Sequence, residues 1–174
     1  MSIYTAIFGF LSALGLTIKR QQEAAFLFLS LMFLLFFMGT RYEVGCDFTG
    51  YQNRFENIDP YASPLEVFGR DEMAFVFLEY MTRTSGADFV WLIFLATAII
   101  IGCYWAFLRK VHYPLMILAL LFPIMMLQLG MSGIRQGIAV GFLLVAMIPF
   151  MSGQKLWTGF WIILGSQFHT SVII

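Results

Sequence analysis

Six long stretches of this chain contain no charged residue, and they constrain its fold more than any other feature. They are 17 to 22 residues long and cover Met1–Ile18, Ala24–Thr40, Phe89–Leu108, Tyr113–Ile134, Gln136–Gln154 and Leu156–Ile174. A helix of that length extends for roughly 26–33 Å, which matches the hydrocarbon core of a bilayer. Because 60% of the residues are apolar, a soluble globular fold is excluded. We therefore predict an all-α, polytopic transmembrane helical bundle with about six transmembrane helices, forming one integral membrane domain over residues 1–174.

The charged residues between these stretches predict the side of the membrane that each loop occupies. All three lysines, Lys19, Lys110 and Lys155, fall in short alternate loops. Short basic loops are typical of the cytoplasmic side. The long segment 41–88 carries nine acidic residues and four arginines, and its acidity and length explain how it crosses the membrane. We predict that 41–88 is an extracytoplasmic loop and that both termini lie on that same side.

The segment 41–88 is too long to be an idle connector in a compact bundle. We predict a short amphipathic helix that begins near Asp47 or Thr49. The sequence Ser63–Glu66 is typical of a capping box with proline at the first helical position. Apolar residues are dense in Asp71–Met81, which is too short to span the membrane and is expected to lie in the interface or to re-enter the bundle.

The sequence signatures of several common catalytic and binding chemistries are absent from this chain. The chain has no CxxC, no HExxH and no paired His/Cys spacing that is typical of a metal site. It has no P-loop, no GxGxxG and no basic-aromatic stripe that would indicate nucleic acid. Cys46 lies in the long loop and Cys103 inside an apolar stretch, so they have no obvious disulfide pairing. We expect no metal, no cofactor and no nucleic-acid partner.

Three ionisable residues on different helices are expected to approach one level near the outer surface. Counting along the helices from the cytoplasmic charges places Arg41 and Arg135 roughly 30 Å away, and places His169 roughly 21 Å from Lys155. The acidic loop 41–88 would lie over them. An isolated arginine in hydrocarbon costs at least ~2.5–3.5 kcal/mol, so Arg135 must reach water, a headgroup or an anion.

Each candidate also has a purely structural alternative. Arg41 and Arg135 would be satisfied by snorkelling to lipid headgroups. A hydrogen bond to a neighbouring helix would account for His169. Asp47 and Glu72 would serve as no more than helix caps in a solvated loop.

The stretch Arg41–Tyr51, RYEVGCDFTGY, resembles the RxxxGxDxxxY signature of the EpsG family, whose members are relatives of Wzy-type polysaccharide polymerases. Three further pieces follow in the family's order: Glu72 with Phe75 and Leu78, then Arg135-Gln136 with Ile138-Ala139, then Phe168-His169 with Ser171. Such proteins are roughly twice as long, and this chain ends inside an apolar run at Val172–Ile174. We therefore expect it to be truncated, an N-terminal fragment of a larger protein.

The resemblance implies a multi-pass enzyme of the bacterial inner membrane, which joins undecaprenyl-diphosphate-linked repeat units at the extracytoplasmic face. Negative charge builds on the departing lipid diphosphate, and arginines stabilise such charge. Arg135 is the first candidate for this diphosphate-binding role and Arg41 the second. His169 is the first candidate for the catalytic base that accepts the proton of the acceptor hydroxyl, and Glu72 is the second.

Four supporting residues complete this hypothesis. We expect Asp47 to pair with Arg41, Gly45 to serve the turn and Tyr51 to stack on sugar rings, and Gln136 is a further supporting residue. The resemblance implies transfer without a metal. Its implied partners are the undecaprenyl-diphosphate-linked oligosaccharide, membrane lipid and other polysaccharide assembly and export proteins.

Three other functions remain open at this point. A transporter of lipid-linked oligosaccharide would bind the same ligand without chemistry. A membrane-bound acyltransferase would also place a buried histidine in a polytopic bundle. A non-catalytic component of a polysaccharide export complex would fit if 174 residues are the native length.

Overall fold

The computed structural model describes residues 2–59, 61 and 72–170, and these are folded as helices without a strand among them. The elements are α1 (Ile3–Thr17), α2 (Glu23–Gly39), α3 (Phe48–Glu56), α4 (Met73–Thr84), α5 (Phe89–Leu108), α6 (Pro114–Leu121), a π-helical segment (Phe122–Ser132), α7 (Ile134–Met151) and α8 (Lys155–Ser166). The predicted all-α class is confirmed for this part of the chain.

Three helical units are long and apolar enough to cross a membrane: α5, the continuous unit Pro114–Ser132 formed by α6 with the π segment, and α7. Helices α1 and α2 are apolar but have 15 and 17 residues. Helix α8 has 12 residues, which extend for about 18 Å. The chain is thus a membrane protein whose described residues contain three candidate spans, and the total of six stays a prediction. Residues 171–174, at the end of the sixth apolar stretch, lie outside the described residues.

Helix α5 lies at the centre of the bundle, with α2 and α7 both packed against it. Helix α1 packs on α6, and α8 packs on α7. Small residues bring α7 close to its neighbours, because a Cβ atom on Gly137 would lie 3.1 Å from the Cα of Gly130, and one on Gly141 would lie 3.1 Å from the Cβ of Cys103. Close approach through small residues is the usual basis of helix packing in lipid.

The helix that starts at Pro114 changes from α to π geometry at Phe122. Pro123 has no N–H to donate, and its ring crowds the carbonyl one turn earlier, so the regular ladder is broken there. The widened geometry continues to the end of the segment, where the Gly133 N–H donates to the carbonyl of Gln128, five residues earlier, at 3.4 Å. Gly133 then separates the π segment from α7.

Successive long helices run in opposite directions, as the ring contacts Phe28–Trp105 at 5.8 Å and Phe36–Phe94 at 6.0 Å show for α2 and α5. The turns that carry the three lysines therefore meet at one end of the bundle. The segments that carry Arg41 and Arg135 meet at the other. Which end faces the cytoplasm stays a prediction.

Helices α3 and α4 cover the arginine-bearing end of the bundle, where α3 packs on α4 and α5. The predicted helix after Asp47 is confirmed as α3, which buries Phe48, Tyr51 and Phe55. The apolar part of Asp71–Met81 forms the first turns of α4, which buries Phe75 and packs within this cover. The predicted capping box Ser63–Glu66 lies outside the described residues.

Candidate functional site

The carboxylate of Glu72 lies at the meeting point of three segments. Glu72 immediately precedes α4 and has a φ of +66°, which is uncommon for a residue other than glycine. The N–H of Ala74 donates to the carbonyl of Gln167 at 3.1 Å, and this bond holds the start of α4 beside the end of α8. The side chain of Glu72 is only 8% exposed. It therefore makes its contacts inside the protein.

Both oxygens of this carboxylate are engaged by residues that the sequence predicts to belong to the site. Nη1 of Arg135 donates to Oε2 of Glu72. Nδ1 of His169 lies 2.5 Å from Oε1. Because a carboxylate only accepts, Nδ1 carries the proton, which leaves Nε2 of a neutral imidazole free to accept one. Three of the four candidates for chemistry, Arg135, Glu72 and His169, thus form one chain of contacts.

Arg135 is held from its other side by Tyr51. Nε of Arg135 donates to the Tyr51 hydroxyl at 3.4 Å, and Cζ lies 5.5 Å from the centre of the tyrosine ring. The same ring contacts Phe75, with the ring centres 5.8 Å apart. Tyr51 is 7% exposed, so its ring is covered by these two contacts. These contacts show that Tyr51 positions Arg135, and the stacking of Tyr51 on a sugar stays a prediction.

A cleft of about 430 Å³ opens beside Arg135. Its lining consists of Cys46, Asp47, Gly50, Tyr51, Arg54 and Arg135. Four of these residues lie on or just before α3 at a spacing of 0, 3, 4 and 7 positions, which places them on one face of that helix. The volume is in the range of small-molecule sites. Asp47 is exposed and lies in this lining.

Arg54 is a residue of the site that the sequence-based prediction does not include. Its Nη2 pairs with Oε2 of Glu79 at 2.8 Å, and its Cζ lies 5.7 Å from the centre of the Phe75 ring. Glu79 is fully buried. The signal was available, because Arg54 follows Tyr51 by three positions and Asp47 by seven on a predicted amphipathic helix.

Arg41 is placed apart from this cluster. It is 5% exposed, and its guanidinium donates to two backbone carbonyls, from Nη1 to Met38 at 2.6 Å and from Nη2 to Gly130 at 3.2 Å. Burial lowers the pKa of Arg41 to about 10, so it stays charged at neutral pH. Arg41 ties the end of α2 to the π segment. Its bonds are to these carbonyls rather than to Asp47, with which we predicted a pair.

Gly45 allows the signature loop to dock on the π segment. Its φ is +110°, and a Cβ atom there would lie 2.3 Å from the carbonyl oxygen of Met131. The next residue, Cys46, donates its N–H to Oγ of Ser132 at 3.4 Å. Only glycine fits this backbone and this space, which agrees with the predicted turn. Gln136 is half-buried, and its amide oxygen lies beside Gly133.

The position of His169 differs from the helical count. Helix α8 ends at Ser166, and His169 follows in the turn beyond it, where its N–H donates to the carbonyl of Gly165 at 3.2 Å. The neighbouring Phe168 is buried and stacks on Phe142 of α7, with ring centres 5.5 Å apart. This anchor directs the turn toward Glu72. Within the described residues 2–59, 61 and 72–170, no three His, Cys, Asp or Glu side chains lie close enough together to bind a metal ion.

The model of the EpsG family matches residues 24–174. The match covers most of the chain and includes every residue of the site. No curated protein and no solved structure matches the chain significantly.

Proposed function

This chain belongs to the EpsG family of Wzy-type polysaccharide polymerase-like proteins, and on that premise we propose that it acts as a glycosyltransferase that joins undecaprenyl-diphosphate-linked oligosaccharide units. The reaction would take place at the extracytoplasmic face of the bacterial inner membrane. The family and the apolar helices make the chain a membrane protein related to polysaccharide biosynthesis. The observation that carries the finer proposal is the chain of contacts Arg135–Glu72–His169.

Arg135 is suited to the leaving group. When the acceptor hydroxyl attacks the anomeric carbon, the bond from that carbon to the diphosphate breaks and negative charge builds on the departing oxygen. Arg135 uses Nη1 for Glu72 and Nε for Tyr51, which leaves the N–H groups of Nη2. These donors are held beside the cleft before the reaction, so they stabilise the charge without reorganisation.

His169 is suited to the acceptor hydroxyl. Its Nε2 takes the proton as the new glycosidic bond forms, and Glu72 then stabilises the imidazolium through Nδ1. The imidazole is within reach of a substrate, because 30% of its side chain is exposed. Glu72, our second candidate for the base, has both oxygens occupied, so its role here is to position His169 and Arg135.

Arg135→Ala tests this proposal in cells that make the polysaccharide. We expect long-chain polysaccharide to be lost, while single repeat units accumulate on the lipid carrier in the outer leaflet. Arg109→Ala is the matched control, because Arg109 is an exposed arginine at the opposite end of the bundle. Normal chain length in Arg135→Ala would remove Arg135 from the mechanism. Accumulation of repeat units in the cytoplasmic leaflet would favour a transporter instead.

A further inference from the structure

The cleft is lined by a second arginine that the reaction above does not use. Arg54 and Arg135 both border it, from α3 and α7 respectively. Each is held from behind by a carboxylate with a largely buried side chain, Glu79 for Arg54 and Glu72 for Arg135. The two arginines therefore repeat one arrangement on two sides of the same space.

Each guanidinium is also fixed in orientation by an aromatic ring. Cζ of Arg54 lies 5.7 Å from the ring centre of Phe75, and Cζ of Arg135 lies 5.5 Å from that of Tyr51. These two rings contact each other, with their centres 5.8 Å apart. A guanidinium that is stacked on a ring and paired at one edge loses little entropy when its other edge binds a ligand.

The free edge of Arg54 has the geometry of an oxyanion receptor. Glu79 lies against Nη2, which carries two N–H groups. The N–H of Nη2 that does not face Glu79 still forms a planar fork with the neighbouring N–H of Nε or Nη1. Planar N–H forks bind phosphate and carboxylate groups through two parallel hydrogen bonds. Asp47 also borders the cleft, but it precedes Arg54 by seven positions, which is about 10 Å along the helix. An anion is thus favoured at the Arg54 end.

We propose that Arg54 forms a second oxyanion subsite beside Arg135, so that the cleft holds two anionic groups of one ligand. This inference rests on the proposed function for the first group, the phosphate at Arg135. The second group is an oxyanion, and it has two possible sources. It is either the other phosphate of the lipid diphosphate or a carboxylate on an acidic sugar.

Equilibrium binding to the purified chain in nanodiscs tests the subsite without relying on catalysis. The first pair of probes is farnesyl diphosphate and farnesyl monophosphate. The test variant is Arg54→Gln combined with Glu79→Gln, which removes both charges of the ion pair together. We expect it to weaken diphosphate binding by about tenfold or more and to leave monophosphate binding unchanged.

Two control variants accompany this measurement. Glu79→Gln alone keeps Arg54 but removes the carboxylate that holds it, so it should weaken diphosphate binding less than the double variant does. Arg83→Gln removes an arginine that also lies over a ring, 5.5 Å from the centre of Phe55, but that is outside the lining of the cleft. It should bind diphosphate as the unmodified chain does. Thermal unfolding of each variant shows whether the fold is retained.

A second pair of probes separates the two sources of the anion. These are farnesyl monophosphate esters of glucuronate and of glucose. A loss confined to the glucuronate ester in the double variant would assign Arg54 to an acidic sugar. Unchanged affinity for all four probes would overturn the subsite. Failure of the proposed function is a separate result, namely normal binding of these ligands by a chain that forms no glycosidic bond.

Discussion

Nδ1 of His169 lies 2.5 Å from Oε1 of Glu72, although 97 positions separate the two residues in sequence. The contact needs the turn after α8, the start of α4 and the bond between Ala74 and Gln167 that joins them. A buried carboxylate in this position fixes both the ring orientation and the tautomer of the imidazole. The site therefore depends on Glu72 even though Glu72 does not itself take the proton.

Glu72→Ala should remove the preference of the His169 imidazole for this tautomer. In the unmodified site the proton of the neutral imidazole is expected on Nδ1, and the variant should populate the other tautomer and slow transfer by about 10²–10⁴-fold. Nitrogen NMR of histidine-labelled protein measures the tautomer directly. The background variant His112→Gln leaves His169 as the only histidine. An unchanged spectrum in Glu72→Ala would show that the carboxylate does not orient the ring.

The sequence predicts the elements of the site better than it predicts their roles. Arg135 and His169 could be selected because ionisable residues near the ends of apolar runs stand out, whereas the signature residues and Glu72 were selected through the resemblance to the EpsG family. The separate role of Arg41 could not be predicted, because the sequence does not distinguish a guanidinium that donates to the carbonyls of Met38 and Gly130 from one that faces a ligand.

The position of His169 could not be predicted by counting along a helix, because the run of apolar residues continues past the actual helix end at Ser166. Arg54 was missed for a different reason. An arginine in a charged loop is usually solvated, and its contribution depends on Glu79, which lies 25 positions later and is fully buried. The spacing from Asp47 and Tyr51 indicates the face of α3 on which Arg54 lies, but the pairing with Glu79 is a tertiary contact between α3 and α4 that local periodicity does not encode.

Arg41→Met tests the structural role of that arginine. The variant leaves the carbonyls of Met38 and Gly130 without their donor, so the free energy of unfolding should fall by about 1–3 kcal/mol. Binding of farnesyl diphosphate by the folded variant should be unchanged. Arg109→Met, at an exposed position, should shift stability by less than about 0.5 kcal/mol. If Arg41→Met folds stably and loses diphosphate binding, Arg41 holds the ligand, as the sequence first indicated.

Gly45→Ala tests the docking of the signature loop. The new Cβ would lie 2.3 Å from the Met131 carbonyl oxygen in a backbone with φ of +110°. The free energy of unfolding, measured by thermal unfolding, should therefore fall by at least about 1–3 kcal/mol. Gly50→Ala is the matched control from the same stretch. It lies inside α3 with open space around it, and alanine should stabilise the helix by about 0.5–1 kcal/mol. Equal stability of the two variants would show that the loop does not need glycine at position 45.

Cys46 provides a native reporter of the side on which the cleft opens. It is exposed in the lining, whereas Cys103 is buried in α5. A membrane-impermeant maleimide should label Cys46 in intact spheroplasts, and farnesyl diphosphate should slow the labelling. Gln154→Cys in a Cys46→Ser background places a thiol at the exposed turn between α7 and α8. That thiol should react only after permeabilisation, and the reverse pattern would invert the predicted topology.

The most direct test of the proposed chemistry uses purified protein in liposomes and measures the undecaprenyl diphosphate that the reaction releases. With an undecaprenyl-diphosphate-linked repeat unit as substrate, we expect one undecaprenyl diphosphate to be released for each glycosidic bond formed. His169→Gln should lower that rate by about 10²–10⁴-fold while substrate binding persists. Equal rates for His169→Gln and the unmodified protein would contradict the assignment of the imidazole as base, and absence of release from the unmodified protein would contradict transfer itself.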